Sequence, residues 1–126
     1  KELLDENLKS TFLFLISRYE KKFKAEPNNS RVPYSLGVVY SKLGQPQDAV
    51  GFYEKALGLD GNFKDAAFNL GATYEILGQR EKAIGLYQQV VLMHTGESVS
   101  EVDKLAASRL AELARHAEDP RNTPAQ

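Results

Sequence analysis

Two stretches of this chain repeat each other at one constant offset, the distance from Leu36 to Leu70, and no gap is needed to align them. Leu36-Gly37 falls on Leu70-Gly71, Tyr40 on Tyr74, and Leu43-Gly44-Gln45 on Leu77-Gly78-Gln79. Farther on, Ala49-Val50-Gly51 meets Ala83-Ile84-Gly85, and Tyr53 meets Tyr87. A short repeating unit cannot bury its apolar face alone, so neighbouring units must stack to make a continuous core.

Each unit reads as two helices. The first carries Leu36, Val39, Tyr40 and Leu43, then Leu70, Thr73, Tyr74 and Leu77, all at helical spacing. Gly44 and Gly78 are placed to stop it, because glycine takes a left-handed conformation at a helix end without a Cβ penalty. Pro33 and Pro46 suit first-turn positions, where a missing N–H costs nothing. The second helix carries Ala49, Tyr53, Ala56 and Leu57, then Ala83, Tyr87, Val90 and Val91. Small Gly37, Gly71, Ala49 and Ala83 predict a close approach within each hairpin. Gly51 and Gly85 fit less well, since a helix-interior glycine costs about 0.5–1 kcal/mol relative to alanine. Inheritance from a duplicated unit explains them better than contact with a partner.

The pattern L-G-x-x-Y…G…A-x-x-x-Y at this period resembles the tetratricopeptide repeat family, with complete units at 30–63 and 64–97. The resemblance implies an all-α, TPR-like stack of antiparallel helix hairpins wound into a right-handed superhelix. Residues 1–29 resemble the second helix of a degenerate unit, with Phe12, Leu15, Ile16, Tyr19 and Phe23 followed by a turn at Pro27-Asn28-Asn29. Leu4, Leu8, Phe12, Leu15, Tyr19 and Phe23 form one stripe, so a single long helix fits better than a helix pair. Residues 98–118 read as a capping helix, with Ser98 and Glu101 at capping-box spacing. Its stripe is Val99, Val102, Ala106, Leu110, Leu113 and Ala117. Residues 119–126, with two prolines and no apolar periodicity, read as a disordered tail.

Composition sets the outer bounds. A net charge of −1 provides no general pull toward nucleic acid or anionic lipid, and the absence of cysteine excludes disulfides and thiolate metal sites. The apolar run Phe12–Ile16 is too short to span a bilayer. A soluble domain is expected, with the cytoplasm the favoured compartment and a targeting or membrane segment before Lys1 left open. His94 and His116 have no ligand partners at helical metal spacing, and Glu81, Glu97, Glu101 and Asp103 are accounted for by helix starts and solvated faces. No catalytic residue, cofactor or metal is therefore expected, and the chain does not read as an enzyme. Arg18, Lys21, Lys22 and Lys24 form the main basic run, but Glu20 and Glu26 interrupt it, and a solvated face explains it better than nucleic-acid binding.

In the family, first helices line a concave face that binds ligands. By resemblance the lining is Arg31, Tyr34, Val38, Ser41 and Lys42, then Asp65, Phe68, Asn69, Ala72 and Glu75, with Val102, Ala106 and Arg109 from the capping helix. Asn69 stands out because an amide donates to and accepts from an extended backbone at once; Ser35 matches it in the first unit and is the weaker candidate. A carboxylate clamp for chaperone tails is not expected. Tyr34 and Val38 stand where its first lysine and asparagine would be, and Val99 and Asp103 where its later cations would be. An aspartate there repels a carboxylate. The expected role is a protein-interaction scaffold that holds a peptide or helical segment of a partner. The alternative is a structural subunit or assembly factor that self-associates, or sits in a larger complex, through Phe12, Phe14 and Ile16. That apolar helix could instead pack within its own stack or fill the groove.

Overall fold

Gly44 and Gly78 divide the chain as the repeat predicts. Both take positive φ, 77° and 78°, and each closes a helix with a paired backbone turn. The Gln45 N–H donates to the Tyr40 carbonyl at 2.9 Å and the Gly44 N–H to that of Ser41 at 3.0 Å. Gln79 to Tyr74, at 2.8 Å, and Gly78 to Glu75, at 3.0 Å, repeat this one unit later. These bonds satisfy the carbonyls that a helix end leaves without partners.

The computed structural model describes residues 6–93, 99–119 and 121. Among these the elements are α1 (Glu6–Ala25), α2 (Arg31–Lys42), α3 (Pro46–Leu59), α4 (Lys64–Ile76), α5 (Arg80–Leu92) and α6 (Glu101–Glu118). The described residues are all-helical, and each helix packs on the next in chain order. The hairpins are α2–α3 and α4–α5, while α6 also touches α4.

Inside each hairpin a tyrosine lies across a glycine. A Cβ added at Gly37 would stand 2.5 Å from Tyr53 Cε1, and one at Gly71 would stand 2.9 Å from Tyr87 Cε1. The two rings are the largest fully buried side chains of the core, joined by Leu36 and Val90. Full burial of an aliphatic side chain of that kind is worth about 1.5–3 kcal/mol. The hairpins are therefore held by large-on-small packing.

The ends of the stack are closed differently. α1 lays Ile16, Phe12, Leu15 and Tyr19 on Val32, Leu36 and Val39 of α2. α6 buries Ala106 and Leu113 against the main core. Its start corrects the expected cap: Ser100, and not Ser98, is the N-cap. The Ser100 hydroxyl accepts from the Asp103 N–H at 3.2 Å, and the Ser100 N–H donates to Asp103 Oδ2 at 3.0 Å. Aspartate can stand in for the glutamate of the usual box, which is why spacing alone selected Glu101. Ser98, His94, Glu97 and Leu4 lie outside the described residues, as does the tail apart from Asp119 and Arg121.

Candidate peptide-binding groove

Side by side, α2 and α4 leave an open cleft. It is lined by Val38, Ser41 and Lys42 from α2, by Asn69, Ala72, Thr73 and Ile76 from α4, and by Tyr53 of α3 at its base. Spacings of three and four residues bring these side chains onto one face of each helix. Of the expected lining, Val38, Ser41, Lys42, Asn69 and Ala72 meet there. The Thr73 hydroxyl is spent within its own helix, donating to the Asn69 carbonyl at 2.7 Å. At the base, Ser41 Oγ and the Tyr53 hydroxyl are 3.4 Å apart.

The aromatic residues are half-buried and already packed. Tyr34 stands 4.9 Å from Phe63 and 6.0 Å from Tyr53, centroid to centroid, and Phe68 stands 5.4 Å from Tyr87. Arg31 places its guanidinium 5.3 Å from the Phe63 centroid. Asn69 Nδ2 donates to the Tyr34 hydroxyl at 3.3 Å, which uses one of the two N–H donors of the amide. Burial pushes the Tyr34 phenol up, and Asp65 nearby adds to the effect. Tyr34 and Phe68, expected on the concave face, are not among the residues that line the cleft, and Asp65 is exposed.

Glu75 departs from its expected role. Its carboxylate receives Arg109 Nε at 3.1 Å, a second Arg109 contact through Nη2, and the Tyr87 hydroxyl at 2.6 Å. Hydrogen bonds from Arg109 hold its carboxyl below the usual range, with Tyr87 assisting. The same contacts raise Arg109, while burial followed by Glu75 raises Tyr87. Glu75 is therefore a brace between α4, α5 and α6, and it takes Arg109 with it. Ala106, also expected on the concave face, is fully buried, because α6 turns that side onto the core. Lys64 meets the buried Asp103 at 3.0 Å, so Asp103 belongs to a helix joint rather than to a solvated face. By position, Asp103 falls one repeat length after Asn69.

Phe12, Phe14 and Ile16 part company. Ile16 is buried and Phe12 half-buried against α2, while Phe14 is 62% exposed. α1 stacks on α2 at the end of the array and contributes nothing to the α2–α4 cleft, so it does not fill the groove. Ile76, 74% exposed at the cleft margin, escaped the sequence reading. It lies one repeat length after Lys42, so transferring the first unit's lining to the second would have found it. Among the described residues no helix is long and apolar enough to cross a membrane, and no acidic, histidine or cysteine side chains gather as a metal cluster.

A family model described as tetratricopeptide repeat matches residues 34–67 and 66–99. No curated protein matches the chain. Similar solved structures include the first TPR of Spaghetti (RPAP3) bound to the HSP90 peptide SRMEEVD, at 20% identity and a TM-score of 0.74, covering 88% of this chain and 83% of that one. The Yersinia enterocolitica type III secretion translocator chaperone SycD is similar at 14% identity and a TM-score of 0.81, covering 88% and 77%. MamA protein is similar at 27% identity and a TM-score of 0.71, where the match covers 87% of this chain and 57% of that one.

Proposed function

This chain belongs to the tetratricopeptide repeat family, and from that membership we propose that it is a protein-interaction scaffold holding a peptide or helical segment of a partner between α2 and α4. The observation that carries the reading is the open cleft itself. Val38, Ala72 and Ile76 supply apolar surface, and Asn69 supplies an amide beside it. Apolar contact with a few placed polar groups is what a docked segment needs for affinity and orientation.

The preferred ligand is not an acidic chaperone tail. HSP90 and HSP70 peptides are bound in the RPAP3 structures, at 20% and 22% identity to this chain. Here the candidate clamp positions hold Tyr34, Val38 and Asp103, and Asp103 is engaged by Lys64 and Ser100. A largely apolar segment fits better. The test is capture of a partner from the native source, followed by affinity measurement with Asn69→Ala and Ile76→Ala proteins that keep their circular dichroism. Weakened binding in either supports the reading, and unchanged affinity in both sinks it.

A second reading, self-association, is favoured by Leu13 and Phe14, which are 55% and 62% exposed on α1. A contiguous exposed apolar patch is the surface that self-association would cover. Light scattering separates the two readings, since a strict monomer at high concentration counts against self-association.

A further inference from the structure

The Asn69 amide is held from behind. Its Nδ2 donates to the Tyr34 hydroxyl at 3.3 Å, and Tyr34 does not itself line the α2–α4 cleft. The Tyr53 hydroxyl, at the base of the cleft, meets the same amide: burial pushes its phenol up, and hydrogen bonds from Ser41 and Asn69 oppose the rise. A side-chain amide is planar, with donors on its nitrogen and lone pairs on its oxygen, so turning Nδ2 toward the phenols turns Oδ1 away from them. Among the described residues Oδ1 accepts no hydrogen bond, and, unlike Asp103 Oδ1, it is not shut away from solvent.

The neighbouring steps of the stack lack this pairing. One repeat length earlier, Ser35 stands in place of Asn69. One repeat length later, Asp103 takes that place and Phe68 takes that of Tyr34, so the supporting hydroxyl is missing. Asp103 Oδ2 is taken by Lys64 and Ser100, and its Oδ1 is buried without a partner among the described residues. The step from α2 to α4 thus combines an amide fixed by a phenol with an oxygen open to a groove. Both walls of that groove are complete helices of the two full units, so the arrangement does not depend on what packs at either end of the stack.

We propose that Tyr34 is a positioning residue that fixes Asn69 as an acceptor, so that the groove selects an extended partner segment presenting a free backbone N–H to Asn69 Oδ1. This rests on the reading of the cleft as a peptide groove and narrows it. Inside a helix each N–H is already bonded to the carbonyl four residues back, so a helical segment has no backbone donor to offer beyond its first turn. An extended segment keeps its donors, and proline at the contact residue removes the one required. Val38, Ala72 and Ile76 take the apolar side chains of the same segment. With its N–H groups turned inward, Asn69 offers no donor to a terminal carboxylate.

The probes are peptides selected on the folded chain from a random phage-displayed library, kept if Ile76→Arg abolishes their capture, and titrated by fluorescence anisotropy. Methylating one particular backbone nitrogen of the peptide is expected to weaken binding about tenfold, and to cost nothing further against Asn69→Ala. Asn69→Asp, which keeps an acceptor and loses both donors, retains the binding and its sensitivity to that methylation. Tyr34→Phe, which keeps the ring, weakens binding in the parent but not in Asn69→Ala, and it blunts the methylation effect. If no selected peptide depends on Ile76, the groove reading fails and the proposal falls with it. If peptides do bind there, the proposal alone is overturned by loss of binding in Asn69→Asp or by indifference to methylation at every nitrogen. Helical bound peptides, or independent effects of Tyr34→Phe and Asn69→Ala, overturn it as well.

Discussion

The ring of Tyr53 occupies the space that a side chain on Gly37 would need: a Cβ there would lie 2.5 Å from Cε1 and 2.6 Å from Cδ1. Tyr53 is only 2% exposed, so the ring has no route of escape. Gly37→Ala is expected to destabilise by about 1–2 kcal/mol, an overpacking cost of about 1–3 kcal/mol partly offset by the better helix propensity of alanine. Gly71→Ala, with its contact at 2.9 Å, costs less. Urea denaturation that ranks the two in the opposite order contradicts this packing account.

Gly51 and Gly85 behave in the other sense. Both are helical, exposed, and have nothing within 4 Å of an added Cβ. Alanine at either position is expected to stabilise by about 0.5–1 kcal/mol through helix propensity and a less free unfolded chain. The midpoint of urea denaturation measures it, and a loss of stability refutes it.

Acid weakens the joint between α4 and α6. Glu75 has a carboxyl pKa lowered from 4.5 in the folded chain, chiefly by Arg109. A lowered folded pKa means that the contribution is complete above the unfolded value and disappears as pH falls through the folded one. Glu75→Gln is therefore expected to be less stable than the parent at pH 7, and the gap narrows on acidification below about pH 4.5. Arg109 is 39% exposed on its side chain, so solvent screening keeps the effect modest. Thermal denaturation of both proteins between pH 7 and pH 3 reads the difference, and a constant gap rules out the mechanism.

The sequence offers two serine–acid pairs near the start of α6, and the structure uses Ser100 with Asp103, so the two acids separate by mutation. Ser100→Ala is expected to cost about 0.5–2 kcal/mol, because the Asp103 N–H loses its acceptor. Glu101→Gln is expected to stay within about 0.5 kcal/mol of the parent, since Glu101 makes an exposed pair with Lys104 at 3.3 Å. Equal losses from the two changes would place the helix start elsewhere.

Much of the architecture is legible in the sequence. Gly44 and Gly78 forced turns because only glycine accepts their positive φ without penalty, and the tyrosine–glycine pairs were visible as large and small residues in matching units. The groove was legible in part. Val38, Ser41, Lys42, Asn69 and Ala72 could be assigned to one cleft from helical spacing and the family resemblance, since a helix face follows directly from residue number. Glu75, Ala106 and Arg109 could not be assigned in this way. Whether such a residue meets solvent or another helix depends on how α6 lies across α4, and spacing along one helix carries no information about that angle.

The repeat by itself determined the helical hairpins, their turns and the packing within each unit, because these depend on local conformation and on neighbours close in the chain. Tertiary structure alone decided how the ends of the stack are finished. It turned Glu75 into a brace, seated Asp103 under Lys64, and drew Phe12 and Ile16 inward while leaving Phe14 in solvent. The physical reason is that a repeat specifies contacts with copies of itself, whereas α1 and α6 bring helices of different sequence against the two full units.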